Sequence, residues 1–179
     1  MICKVCPEKS DPKRTRITIG GNRITFPGDI GTPTASLELS MLVFNSVLSR
    51  PGAKFTTFNI CNFYLQTPLD RPEYVQFRLS DIPDEFAQEY NLLAYAHDGW
   101  VYFEIRRGVY SLPQSVMISN KLLEQRLNKA GYYQRPITPG LWRHKWRPIL
   151  FCLIVDDFGI NYFDKRHANH LHDIFLEHH

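Results

Sequence analysis

The 179-residue sequence lacks most of the features that mark specialised classes of protein. Its four cysteines are too few for a disulfide-built scaffold. Cys3 and Cys6 form one C-x-x-C with no second half, so a zinc site there would lack two of its ligands. Cys61 and Cys152 lie inside apolar runs and are expected to be buried, reduced thiols. No apolar run approaches the roughly 18 residues of a membrane span; the longest is 148–155. The opening Met1-Ile2-Cys3-Lys4 has no signal-peptide apolar region, which predicts an intracellular protein, cytoplasmic or nuclear, with no membrane partner. Internal repeats and low-complexity segments are missing as well.

What is present suits a folded domain. Hydrophobic residues make up 44% and charged residues 22%, which excludes a disordered tail and a coiled coil. The net charge of +3 is uneven. Residues 1–16 hold five basic and two acidic side chains, so the whole excess lies there and the remainder balances. A second basic cluster, Arg135, Arg143, Lys145 and Arg147 with His144 between, contains no acid. Basic segments with aromatics nearby suit a polyanion; on charge alone they read equally as solvated loops.

Residues 1–13 are polar and read as a loose start. Two alternating runs, Arg16-Ile17-Thr18-Ile19 and Arg23-Ile24-Thr25-Phe26, flank Gly20-Gly21-Asn22 and predict a β-hairpin. Thr32 offers a helix N-cap before Pro33, and Leu37, Met41, Phe44 and Leu48 define the apolar face of the helix that follows. Residues 54–60 alternate as a strand, with Phe55, Thr57 and Asn59 on one side. A turn is expected at 68–72 and strands at 74–79 and 100–105, around an acidic segment at Asp81, Asp84, Glu85 and Glu89. Pro113 opens a helix to Ala130 with Val116, Leu123 and Leu127 inward and Gly131 as its stop. The unbroken apolar run 149–155 predicts a strand buried on both faces, and 158–163 a return strand. Asp164 caps a last helix with Ala168, Leu171 and Phe175 on one side. His167, His170 and His172, with His178 and His179, read as a polar helix end rather than a metal site.

The chemistry concentrates at Asp156-Asp157. Two adjacent carboxylates at the tip of a hydrophobic hairpin repel each other, and a cation beside them removes that cost. An ordinary Asp-rich turn is the alternative.

Four segments in order resemble reverse transcriptases. Ile154-Val155-Asp156-Asp157 is similar to the x-x-D-D turn of that family. Tyr110-Ser111-Leu112-Pro113-Gln114-Ser115 resembles the Y-G-L-P-Q-G/A segment that opens a palm helix. Asn59-Ile60-Cys61-Asn62-Phe63-Tyr64-Leu65 resembles the strand end that carries the first metal-binding Asp. Arg16-Ile17-Thr18-Ile19 resembles the fingers segment whose Arg meets the triphosphate. The pattern suggests a retrotransposon enzyme, copia-like before gypsy-like.

The resemblance implies an α+β right-hand polymerase fold: fingers over about 1–54 and 69–112, palm over about 55–68 and 113–179. It implies an RNA-directed DNA polymerase using deoxynucleoside triphosphates on an RNA or DNA primer–template. Two Mg²⁺ ions about 4 Å apart would stabilise both ends of an in-line displacement. Asp156 and Asp157 would hold metal, with Asn59 at the place of the bridging Asp. Tyr64 would gate the nucleotide sugar, Gln114 would line the nucleotide pocket and Arg16 would pair with the triphosphate. Lys13, Arg14, Arg143, Lys145 and Arg147 would contact nucleic acid. Read without the family, Tyr64 is core, Gln114 a helix-start polar group and Arg16 a strand residue.

Several positions depart from the pattern. Asn59 is neutral; one lost charge about 4 Å from a divalent ion removes roughly 8 kcal/mol of gross attraction at an effective dielectric of 20. Even about 3 kcal/mol remaining in the transition state is on the order of a hundredfold in rate. Ser111 replaces a Gly whose backbone freedom can matter, and Cys61 replaces a polar residue. The family's palm continues after the D-D hairpin into further strands and a thumb; the sequence ends at His179 with neither, so an incomplete palm is expected. These departures open a second reading, a decayed remnant or a nucleic-acid-binding pseudoenzyme. A third is an unrelated protein with an accidental D-D turn. The first two require Asn59 and Asp156 side by side; the third does not.

Overall fold

The structure is a computed structural model and describes residues 2–5, 13–16, 24, 26 and 31–176. It is a mixed α+β chain with antiparallel sheets. The central sheet has five strands in the order β3-β9-β8-β7-β6: β3 Lys54–Asn59, β6 Tyr132–Arg135, β7 Thr138–His144, β8 Ile149–Ile154 and β9 Asp157–Tyr162. One face is covered by α1, Leu37–Leu48; the other packs α3, Pro113–Lys129, and α4, Lys165–Leu176. Two two-stranded ribbons complete the described chain: β1 Ile2–Val5 with β2 Lys13–Arg16, and β4 Pro68–Arg78 with β5 Trp100–Arg107. Between β4 and β5 lie a 3-10 turn at Leu79–Asp81, the short helix α2 at Asp84–Glu89 and a second 3-10 turn at Leu92–Tyr95.

The apolar run 149–155 forms β8, whose side chains alternate between two cores, as burial on both faces requires. Ile149, Phe151 and Leu153 join Phe158, Ile160, Trp142, Leu127 and Leu171 beneath α3 and α4. Leu150 and Cys152 pack towards Val43 of α1. Aromatic stacking reinforces the larger core: Phe58 lies on Phe158 at 4.4 Å and Trp142 on Phe151 at 6.0 Å, ring centre to ring centre. Helix α3 runs from Pro113 to Lys129 with Leu123 and Leu127 inward, as expected, and Gly131 follows it at φ +90°. Asp164 Oδ1 accepts the Arg166 N–H at 2.9 Å and so caps α4.

Six expectations need correction. Helix α1 begins at Leu37 under a Ser36 cap, not at Thr32, because Ala35 N–H is bonded to Leu153 O at 2.9 Å and holds the preceding chain extended. Its inner face is also the opposite one. Val43 is fully buried, whereas Leu37, Met41, Phe44 and Leu48 are exposed. The buried Asn161 selects this rotation: it donates to Ser46 Oγ at 2.7 Å, and Ser46 shares a face with Val43.

The turn expected at 68–72 belongs to β4, which absorbs Pro68 and Pro72 through a register shift between Pro68 and Glu73. The loose start contains β1 paired with β2, supported by the strand-forming Ile2, Val5 and Thr15. Strands β6 and β7 fill a region read only as a basic cluster, because Pro136, Pro139 and Gly140 mask the strand pattern. Cys61 is exposed, not buried: it opens the turn after β3, where Asn62 takes φ +54°. The hairpin expected over 16–26 lies mostly outside the described residues.

Candidate functional site

Strand β3 ends at Asn59, whose register partner on β9 is Asp157; Asp157 in turn pairs with Ile154 on β8. Val155 and Asp156 form the two-residue loop between β8 and β9. A backbone bond from Ile60 N to Asp156 O, 3.1 Å, ties the end of β3 to that loop. Asn59 thereby meets the adjacent Asp156 and Asp157, far from it in sequence, at one corner of the sheet. Asn59 Nδ2 donates to Asp156 Oδ2 at 3.2 Å and to Asp157 Oδ1 at 2.8 Å. A carboxamide NH₂ carries two donor hydrogens, and here each meets a carboxylate. The amide relieves the repulsion between neighbouring anions with partial positive charge.

The loop is strained. Val155 sits at φ +59°, a conformation that a β-branched side chain resists. Ser111, where the resembling segment has Gly, sits at φ +68°, so backbone freedom is needed there.

Tyr64 lies near Asp156. Its hydroxyl pKa is raised, first by burial, then by the negative charge of Asp156 and by Tyr110. Its ring is edge-on to Tyr110 at 5.5 Å. Gly108 packs against the Tyr64 backbone, where a Cβ would stand 2.5 Å from the carbonyl oxygen.

Gln114 is buried at the start of α3 and donates from Nε2 to Glu73 Oε1 at 2.7 Å; its own Oε1 has no hydrogen-bond partner. The same Glu73 oxygen meets Arg71 at 3.2 Å. Glu73 went unnoticed in the sequence, because only the fold brings β4 to the first turn of α3.

Arg16, Lys13 and Arg14 lie on β2; their side chains are outside the described residues. The sequence cluster Arg135 to Arg147 is divided by the fold. Arg135 is at the β6–β7 turn, on the carboxylate side of the sheet, whereas Lys145 and Arg147 are in the β7–β8 turn at the other end. Strand β8 separates that turn from Asp156 by about 17 Å. His144, within that cluster, is not a solvated loop residue but 7% exposed. His170 and His167 also turn inward, unlike the polar helix end expected. A hydrogen bond joins His170 Nδ1 to the Tyr132 hydroxyl at 3.0 Å, and His167 Nδ1 lies 3.4 Å from Arg147 Nη1.

Asp156 and Asp157 are hard oxygen donors of the kind Mg²⁺ prefers, and Asn59 contributes a neutral carboxamide. Among the described residues, no three His, Cys, Asp or Glu side chains form a group able to hold a metal ion. Asn59 carries no charge, so Asp156 and Asp157 are the charged oxygen ligands at this corner. No described helix is long and apolar enough to cross a membrane. No known family, curated protein or solved structure matches this chain.

Proposed function

We propose that this chain is the fingers and palm of a retrotransposon reverse transcriptase, copia-like in motif pattern, with Asn59 leaving its metal site strongly impaired. The observation that carries this is the meeting of Asn59, Asp156 and Asp157 at adjoining strand ends, with Tyr64 beside them. An accidental D-D turn gives no reason for a residue 97 positions away to bond both carboxylates. Asp156 and Asp157 would hold Mg²⁺, which would supply positive charge to oxygens that become more negative in nucleotidyl transfer. Tyr64 lines the nucleotide sugar, and the buried Gln114 fixes the start of α3 against Glu73.

A nucleic-acid-binding pseudoenzyme is the second reading, favoured by the Asn59 amide already satisfying both carboxylates. Primer extension on an RNA template with deoxynucleoside triphosphates and Mg²⁺ separates the two. Weak extension abolished by Asp156→Ala supports the impaired polymerase. Salt-sensitive oligonucleotide binding without extension supports the pseudoenzyme. Neither extension nor binding overturns both.

A further inference from the structure

The β7–β8 turn presents a tryptophan in a constrained pose. Trp146 is 69% exposed between Lys145 and Arg147, and the Arg147 guanidinium lies 4.1 Å from its ring centre. The ring is also edge-on to His144 at 5.1 Å.

His144 fixes the turn. Its Nδ1 accepts the backbone N–H groups of Trp146 and Arg147, both at 3.2 Å. That assigns the ring proton to Nε2, which donates to Ala130 O at 3.1 Å. One neutral imidazole thus pins the turn to the end of α3. Its pKa is lowered by burial and by the cationic Arg147 and neighbouring His170 and His167.

Among the described residues, Arg143, Lys145 and Arg147 have no carboxylate partner. Arg147 Nε is buried without any acceptor. Cationic groups without counter-charge in and beside a turn that carries a largely exposed planar ring suit phosphates joined to unstacked bases. No other large apolar side chain is exposed in that turn, so a bilayer would gain little area from it.

We propose that the β7–β8 turn is a single-stranded nucleic-acid contact: Trp146 stacks an unpaired base while Arg143, Lys145 and Arg147 meet the adjoining phosphates. It deepens the nucleic-acid reading above and rests on it, but uses residues at the opposite end of the sheet from Asp156 and Asp157.

Fluorescence anisotropy with labelled oligo(dT) and the full chain tests it. Trp146→Ala is expected to weaken binding by roughly 5- to 150-fold, the range of one lost base stack. Trp146→Tyr should retain most of the affinity, which a merely structural tryptophan does not predict. Lys145→Gln with Arg143→Gln should flatten the logarithmic salt slope by about 1.4, the single-strand value for two phosphates. A chain that binds oligo(dT) through Trp146 yet extends no primer leaves this contact standing while the polymerase reading fails.

Three outcomes overturn the proposal. One is unaltered affinity in Trp146→Ala. Another is duplex DNA of the same length binding as tightly as the single strand. The third is anionic phosphatidylserine vesicles shifting tryptophan emission while oligo(dT) does not bind.

Discussion

Asn59 and Asp157 are register partners across β3 and β9, and their side chains meet at 2.8 Å. The same amide nitrogen reaches Asp156 at 3.2 Å, so a neutral group stands where two anions call for positive charge. Asn59→Asp removes both donors and adds a third carboxylate. In EDTA it is expected to lose about 1–3 kcal/mol of stability, the usual range for unmade hydrogen bonds. Millimolar Mg²⁺ should restore several degrees of melting temperature in the variant and change the parent little. Primer extension by the variant should rise at least about tenfold over the parent, a gain of about 1.4 kcal/mol in transition-state binding. A variant melting identically with and without Mg²⁺ would count against a metal role for this corner.

Left-handed backbone at Ser111 and Val155 predicts that glycine stabilises both positions. Ser111→Gly and Val155→Gly should each stabilise by about 1 kcal/mol, since glycine adopts positive φ without a Cβ clash. Thermal denaturation should show a rise of roughly 2–4 °C for each. Val155→Gly should also loosen Asp156, visible as weaker protection of the Ile60 amide in hydrogen exchange, because that amide bonds to Asp156 O.

Acid should weaken the molecule through His144. Burial holds its pKa below the ordinary 6.5, so the unfolded chain takes up the proton first as pH falls. The stability His144 contributes is complete above that ordinary value and is lost as pH drops through the lower folded value. Urea midpoints measured from roughly pH 7.5 down to pH 5 should decline. His144→Leu should be less stable at neutral pH and should lose that part of the decline. It leaves two backbone N–H groups and the Ala130 carbonyl without this partner.

The rotation of α1 has a direct mutational signature. Val43→Ala should cost about 2 kcal/mol, because its side chain is wholly enclosed. Met41→Gln and Leu48→Gln, on the exposed face, should stay within about 0.5 kcal/mol. Chemical denaturation of the three variants distinguishes the two faces, and the reverse order of effects would show that Met41 and Leu48 point inward.

Long, strongly patterned elements were legible from residues alone. Strand β8, helix α3 and the Asp164-capped α4 emerge at nearly their observed limits because apolar period and flanking turn residues agree. The meeting of Asn59 with Asp156 followed from a motif order, and the strand register accounts for it. Other features depended on partners that periodicity does not contain. Helix α1 has apolar residues on two faces, and the choice between them rests on Asn161 reaching Ser46. The β6–β7 hairpin was hidden by two prolines and a glycine, although Tyr132, Tyr133 and Trp142 carried strand propensity. His144 looked like one more polar residue in a basic stretch; its burial depends on the end of α3 arriving beside it.

Asn59 reaches its partners from an edge strand, across separations of 97 and 98 residues. The antiparallel run from β6 to β9 is local and can zip up hairpin by hairpin, whereas β3 must close a loop that encloses β4 to β8. The amide contact is therefore expected to form late on the folding route, with the two aspartates presented on a formed hairpin before Asn59 docks. During that interval the pair faces solvent without its amide, and a divalent ion in the medium has its best opportunity to compete for the carboxylates.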